Sequence, residues 1–161
     1  MEKSHILENQ SIIRFSDCDP FNHLNNSSYM NYFFNHRNDE VRARYDIDVY
    51  KMAKKTGKSW VSSMNQIAYL TPAVTNEIVT IQSQLIAYTD TELLVEMRMY
   101  NEHKTQLKAV FWASLVYFNF LRKKREIHDK KLSDLFGNAL ISIQEKSFKK
   151  RVASLKKKKL N

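Results

Sequence analysis

The sequence predicts an α+β fold in which an antiparallel sheet wraps around one long central helix, and three stretches carry that reading. Residues 29–34, Tyr29-Met30-Asn31-Tyr32-Phe33-Phe34, place apolar groups around most of a helix's circumference. A helix apolar on nearly all sides must be covered on nearly all sides. Leu93, Val95, Met97 and Met99 alternate with Leu94, Glu96, Arg98 and Tyr100 in the period of two that marks a strand. From Gln106 to about Phe120 the chain is apolar on both faces for most of its length, as a central strand covered on both sides should be. A buried helix and a sheet too apolar to stay open satisfy each other when the sheet curls around the helix.

In chain order, Ile6, Ile12, Ile13 and Phe15 give the segment from His5 to Phe15 an imperfect alternation, read as a strand. After an irregular turn, a helix is expected from near Asn26 to about Tyr45, buried most deeply at its start, with Glu40 and Arg44 spaced as an i,i+4 pair. Asp46 to Lys58 reads as a polar connection with room for a short helical turn, ending at Gly57. Strands follow at Trp60–Leu70, stopped by Thr71-Pro72, and at Ile78–Tyr88, where Val79, Ile81, Leu85 and Ala87 share a face. Thr89-Asp90 and Asn101 to Lys104 are the hairpin turns around the Leu93–Tyr100 strand. Leu132, Leu135, Phe136 and Leu140 recur at helical spacing and mark a terminal helix packed on the sheet. Residues 1–142 are thus read as one domain and 143–161 as a basic tail.

The chemistry concentrates between Arg14 and Asn26. Asp17, Cys18, Asp19, Asn22, His23, Asn25 and Asn26 crowd a turn that Pro20 and Asn22 keep irregular. Asn25, Asn26 or Ser27 would each serve as an N-cap, aiming the free N–H groups and positive dipole end of a buried helix at the Asp/His turn. A carboxylate beside such an anion site suits acyl transfer, with Asp19 as nucleophile or general base and the N–H groups holding an oxyanion. Asp17 is read as a turn cap. His23 is either a catalytic group or a structural histidine that pins the loop through its ring nitrogens. Calcium is excluded at this loop, because Phe21, Asn22 and Ser28 stand where a polar ligand, Gly and Glu are required. A thiolate at Cys18 would be disfavoured by the flanking carboxylates, so Cys18 is read as a small packed thiol.

The run Asp17-Cys18-Asp19-Pro20-Phe21-Asn22-His23-Leu24-Asn25-Asn26-Ser27-Ser28-Tyr29 resembles the active-site segment of hotdog-fold thioesterases, in the branch of 4-hydroxybenzoyl-CoA thioesterase-like and acyl-ACP thioesterases. The resemblance implies the hotdog fold and makes Asp19 the catalytic carboxylate, followed by His23, Asn25 and Asn26 and by the family's Tyr at Tyr29. Many members have Gly where this chain has Asn22, a residue that tolerates positive φ better than other non-glycine residues. Plant acyl-ACP enzymes have Asn where this chain has Phe21. Ala68-Tyr69-Leu70-Thr71-Pro72-Ala73 is similar to a Tyr-x-x-Pro-Ala segment of these enzymes, so the resemblance spans roughly Ile12 to Asn119. It also implies protomers paired edge to edge, with the site between subunits, in a homodimer or a dimer of dimers.

Composition bounds the alternatives. A single Cys precludes an internal disulfide, and neither an apolar leader after Met1 nor a long apolar run is present, so a cytoplasmic protein without membrane contact is expected. With two Gly and two Pro, no phosphate-loop or dinucleotide fingerprint can be assembled. The scattered His5, His36, His103 and His128 show no ligand spacing, so neither metal nor any other cofactor is assigned. Of the net charge of +9, the stretch from Glu145 onward carries +7. Its Phe148, Val152 and Leu155 keep helical spacing, whereas a basic run such as Lys156 to Lys159 is expected to be solvated. A nucleic-acid-binding role ranks last, because the basic residues avoid the folded body.

The function expected is hydrolysis of acyl-CoA or acyl-ACP, with Asp19 and His23 at the reaction centre and an oxyanion site near Asn25 and Asn26. Tyr29 is expected to touch substrate, Asn65 either touches it or faces solvent or a partner subunit, and Arg122, Lys123 and Arg125 either bind phosphates of CoA or form a solvated turn. A non-hydrolytic hotdog protein, either an acyl-CoA lyase or an acyl-CoA-binding module, is the alternative.

Overall fold

The computed structural model describes residues 5–158. The predicted central helix is α1, Tyr29–Tyr45. Tyr29, Phe33 and His36 form its buried stripe, and Met30, Tyr32 and Phe34 also pack on the core, so the aromatic start is covered nearly all round. It begins about three residues later than expected. Asn25 to Ser28 instead form a turn closed by the Ser28 N–H on the Asn25 carbonyl, and neither Asn25, Asn26 nor Ser27 is the cap. The cap position falls to Ser28, which has helical geometry and makes no side-chain cap bond. At the other end Asp46 closes the helix in the left-handed region, at φ 54°.

Six antiparallel strands curl around α1. β1 (Leu7–Ile12), β2 (Lys58–Tyr69), β3 (Ile78–Tyr88), β4 (Glu92–Asn101) and β5 (Leu107–Asn119) take the order β1-β3-β4-β5-β2, with β6 (Lys124–Arg125) paired to the end of β5. The inward residues Val79, Ile81, Val95, Met97, Met99, Ala109, Phe111 and Ala113 are fully buried. Phe111 stacks on Phe33 at 5.3 Å between ring centroids and meets Phe34 edge-on at 5.4 Å. These contacts fix the helix in the curl of the sheet. The polar connection, read with room for a short helical turn, holds a helix of two turns, α2 (Val49–Thr56), started by Asp48 accepting from the Tyr50 and Lys51 N–H groups. It stops at Gly57, whose φ of 69° disfavours any residue with a Cβ and where an added Cβ would come within 2.8 Å of the Leu121 side chain. The terminal helix is α3 (Lys130–Ala139), capped by Asp129 and burying Leu132 and Phe136.

Among the described residues the basic tail is only partly solvated, and Lys159 of the predicted solvated run lies outside them. Phe148–Lys157 forms α4, which covers the outer face of β4 and β5 and buries Arg151 and Leu155. Glu96, on the strand face opposite Val95 and Met97, is fully buried there. It accepts from Arg151 Nε at 2.7 Å and Nη2 at 2.9 Å, from Trp112 Nε1 at 3.0 Å and from Gln84 Nε2 at 3.1 Å.

Glu40, spaced in the sequence to meet Arg44, is engaged by Asn9 of β1, whose Nδ2 donates to it at 2.7 Å. Asn9 Oδ1 therefore remains an acceptor, and the buried His36 donates to it from Nδ1 at 2.8 Å. Burial lowers the His36 pKa from 6.5 to about 4, so the folded protein holds it neutral where the unfolded chain would protonate it. Stability should therefore be fully present above pH 6.5 and fall as the pH drops towards 4, by about 3 kcal/mol from this group alone. In His36→Gln, thermal melts across that window should show a correspondingly shallower acid limb.

Candidate active site

The segment before α1 is built by backbone bonds. A short 3-10 turn at Phe15–Asp17 is followed by a miniature hairpin, in which Cys18 pairs with Leu24 and the Asp19 N–H donates to the His23 carbonyl at 2.8 Å. Pro20 and Phe21 form its tip, and Asn22 turns the chain with φ 64°. The Leu24 N–H donates to the Ala73 carbonyl at 2.8 Å and His23 bridges to Val74, which stitches the hairpin onto the segment after β2. Asn22 Oδ1 accepts from the Thr75 N–H at 3.3 Å.

Within this hairpin Asp19 is half-buried, and its Oδ1 accepts from the N–H groups of Phe21 and His23 at 2.9 and 3.0 Å. That fixes the carboxylate plane and leaves Oδ2 without a partner among the described residues. His23 is exposed, and the loop is pinned by its backbone, with no ring hydrogen bond among the described residues. Asp17 has a different task. Its Oδ2 accepts from Tyr32 Oη at 2.7 Å while that oxygen accepts from the Arg14 N–H at 2.9 Å, tying the loop to the first turns of α1.

Asn25 is half-buried, Asn26 is exposed, and both lie in the turn that delivers the chain to α1. The carbonyl of Asn26 accepts from Tyr69 Oη at 3.0 Å. Tyr29, read from sequence as a substrate contact, is 2% exposed. Its hydroxyl accepts from the Ala73 N–H at 3.3 Å and its ring meets Tyr69 edge-on, so it braces the segment that carries the hairpin.

The remaining predicted residues lie elsewhere in the protomer. Asn65 is exposed in the middle of β2, accepting from Ser62 Oγ at 2.8 Å. Arg122, Lys123 and Arg125 lie in the β5–β6 hairpin, where Arg125 pairs with Glu92 and Lys123 takes φ 51°. Lys58 pairs with Asn119 and Tyr69 with Ala109, so this hairpin lies at the opposite end of β2 from the Asp19 loop. Eleven residues of strand amount to roughly 35 Å. One protomer does not bring the two together.

Residues 13–148 match the sequence pattern of the thioesterase-like superfamily. The chain belongs to that superfamily. No curated protein sequence matches it. Among solved structures, it is similar to a hypothetical protein of Staphylococcus aureus solved in complex with CoA, with 12% identity, 87% of this chain and 89% of that one covered and a TM-score of 0.77. It is likewise similar to the DHNA-CoA thioesterase of S. aureus, with 15% identity, coverages of 94% and 93% and a TM-score of 0.73. For the 1,4-dihydroxy-2-naphthoyl-CoA thioesterase Slr0204 of Synechocystis the corresponding values are 8%, 80% and 93%, and 0.72. These likenesses establish the hotdog fold of the superfamily for this chain.

One feature of the fold left no signal in the sequence. A cavity of about 370 Å³ opens between the C-terminal half of α1, α3 and the inner face of the sheet, lined by Trp60, Leu93, Leu115, Leu135, Phe136 and Arg37 among others. Arg37 had no distinguishing signal, because it stands in the polar run His36-Arg37-Asn38-Asp39-Glu40.

Proposed function

We propose that the protein hydrolyses acyl-CoA or acyl-ACP thioesters, with Asp19 as the reacting carboxylate. The observation that carries this reading is the state of Asp19: one oxygen clamped by two backbone N–H groups, the other uncommitted, in a loop that ends at a helix N-terminus without a side-chain cap. As general base, Asp19 takes a proton from water as the oxygen adds to the thioester carbonyl. As nucleophile, it forms an acyl anhydride that water then cleaves. In either route the tetrahedral oxyanion is held by N–H groups beyond Asn25, whose own N–H is bonded to Asp17, from Asn26 to the start of α1, with His23 orienting the carbonyl. Collapse expels a thiolate, whose conjugate acid has a pKa near 8.5, so the leaving group departs without strong acid assistance.

A homodimer completes the site in this reading. β2 is an edge strand twelve residues long, with Met64 62% exposed at its middle. Phe15 and Phe21 are exposed near one end and Leu121 near the other. A long unpaired edge flanked by apolar groups favours pairing with a second copy. Antiparallel β2–β2 pairing reverses the ends, so the partner's basic hairpin approaches the Asp19 loop and can take the phosphates of CoA.

The test is thiol release from short, long and aromatic acyl-CoAs and from acyl-ACP, with sedimentation to read the assembly. Turnover by a dimer or tetramer supports the proposal; absence of turnover on every thioester overturns it in favour of a binding role.

A further inference from the structure

We propose that the cavity beside α1 is a binding site for the carboxylate of an apolar carboxylic acid, with Arg37 as the anion-binding group. The exposed lining is mostly hydrophobic, built by Trp60, Leu93, Leu115, Leu135 and Phe136, and its volume falls within the range of about 300–1,000 Å³ usual for small-molecule sites. Trp60 is held in place, because its Nε1 donates to His128 Nε2 at 3.1 Å and its ring packs on Tyr117. Into this apolar space one cation projects.

Arg37 donates from Nη1 to Ser83 Oγ at 3.1 Å, and among the described residues no carboxylate forms an ion pair with it. Arg151 and Arg98 differ in this respect: Arg151 has Glu96 and Glu145, and Arg98 has Glu96. Burial depresses the Arg37 pKa to about 10, which still leaves it charged at neutral pH. A desolvated guanidinium has five N–H donors in a planar fork that matches a carboxylate. Ser83 occupies one of them. An anion entering the cavity would pair with the rest, while its hydrocarbon body replaces water against the Leu, Trp and Phe walls. A phosphate head suits the space less, because Arg37 is the one Arg or Lys among the lining residues, with His5 the other basic side chain.

The carboxylate can come from two sources, a free fatty or aryl acid or the far end of an acyl chain whose other end is a thioester. The second rests on the function proposed above; the first does not.

The experiment uses the full chain and isothermal titration calorimetry with dodecanoate and, as the uncharged probe of equal length, 1-dodecanol. Dodecanoate should bind about tenfold or more tightly than the alcohol, as expected for a charge-assisted hydrogen bond in an apolar site. Arg37→Met should erase that preference and leave alcohol binding unchanged, and Arg37→Lys should retain part of it. Leu135→Trp, which fills the cavity from α3, should block both ligands. Equal binding of acid and alcohol, binding of neither, or dodecanoate affinity unaltered by Arg37→Met overturns the proposal. If Arg37→Met does not fold, Arg37→Lys and Leu135→Trp decide it. Comparing turnover of dodecanedioyl-CoA with dodecanoyl-CoA separates the sources. A preference for the diacid ester that Arg37→Met reverses assigns the site to the acyl chain, and equal turnover assigns it to a free acid. Because calorimetry needs no turnover, the role of Arg37 is decided even in a protein inactive on all thioesters.

Discussion

Asp19→Asn is expected to lower thiol release from the best acyl-CoA substrate by about 10²–10⁴-fold, the usual contribution of a positioned acid or base, with KM and melting temperature nearly unchanged. The geometry makes this substitution a clean one. Asn retains an Oδ1 acceptor for the Phe21 and His23 N–H groups, so the miniature hairpin keeps both bonds, and only the uncommitted oxygen is exchanged for an amide nitrogen. An amide nitrogen can neither accept the proton from water nor attack a carbonyl. Asp19→Ala is the informative contrast, because it removes both loop bonds and should cost about 1–3 kcal/mol of stability as well as activity. Steady-state kinetics and thermal melts on the two variants separate a chemical role from a purely conformational one. Turnover of Asp19→Asn within a few-fold of the native rate would move catalysis to another group.

The contrast between this loop and its surroundings shows what a sequence can display. Alternation at Leu93 to Tyr100 and the aromatic start of α1 were legible because burial imposes a fixed period on the residues that face the core. Asn22 was legible as a left-handed position because few residue types accept φ near 64°. The start of α1 was misplaced for the opposite reason. Asn25, Asn26 and Ser27 all have capping chemistry, and the choice fell to none of them because the Asn25 N–H and carbonyl are committed to Asp17 and Ser28 while Ala73 holds the Leu24 N–H and Tyr69 the Asn26 carbonyl. Long-range pairings decide such local contests, and single-sequence patterns do not contain them. Arg37 illustrates the same limit: its polar neighbours in sequence suggest a solvated face, yet curling the sheet around α1 brings Ser83 against it. The separation of the Arg122–Arg125 hairpin from Asp19 was equally hidden, since it depends on the register of β2 with β5.

Glu96→Leu is expected to produce the largest loss of stability, about 3–5 kcal/mol, because it removes one partner of a buried ion pair and leaves the other charged. For a chain of this length that corresponds to roughly 10–15 °C in melting temperature. The alternation of β4 assigns Glu96 to the outward face, where an acidic side chain ordinarily meets water. Here α4 closes over that face, and Arg151 reaches Glu96 through two nitrogens while Trp112 and Gln84 occupy its remaining lone pairs. Arg151 keeps Glu145 at 3.2 Å, a partner near the edge of α4 that cannot follow it into the sheet. Arg151→Met should also be damaging, since it leaves the fully buried carboxylate with the more distant Arg98 Nε, at 3.6 Å, as its remaining cation. Glu96→Leu combined with Arg151→Met should recover a substantial part of the loss, as buried ion pairs replaced by apolar groups often do. Recovery stays incomplete because the Trp112 and Gln84 donors lose their acceptor, at about 1–3 kcal/mol each when unsatisfied. A double-mutant cycle read by calorimetric melting temperatures measures the coupling. Additive losses in the double variant would show that α4 is held by Phe148, Val152 and Leu155 against Tyr100 and Val110, with the ion pair contributing no specificity of its own.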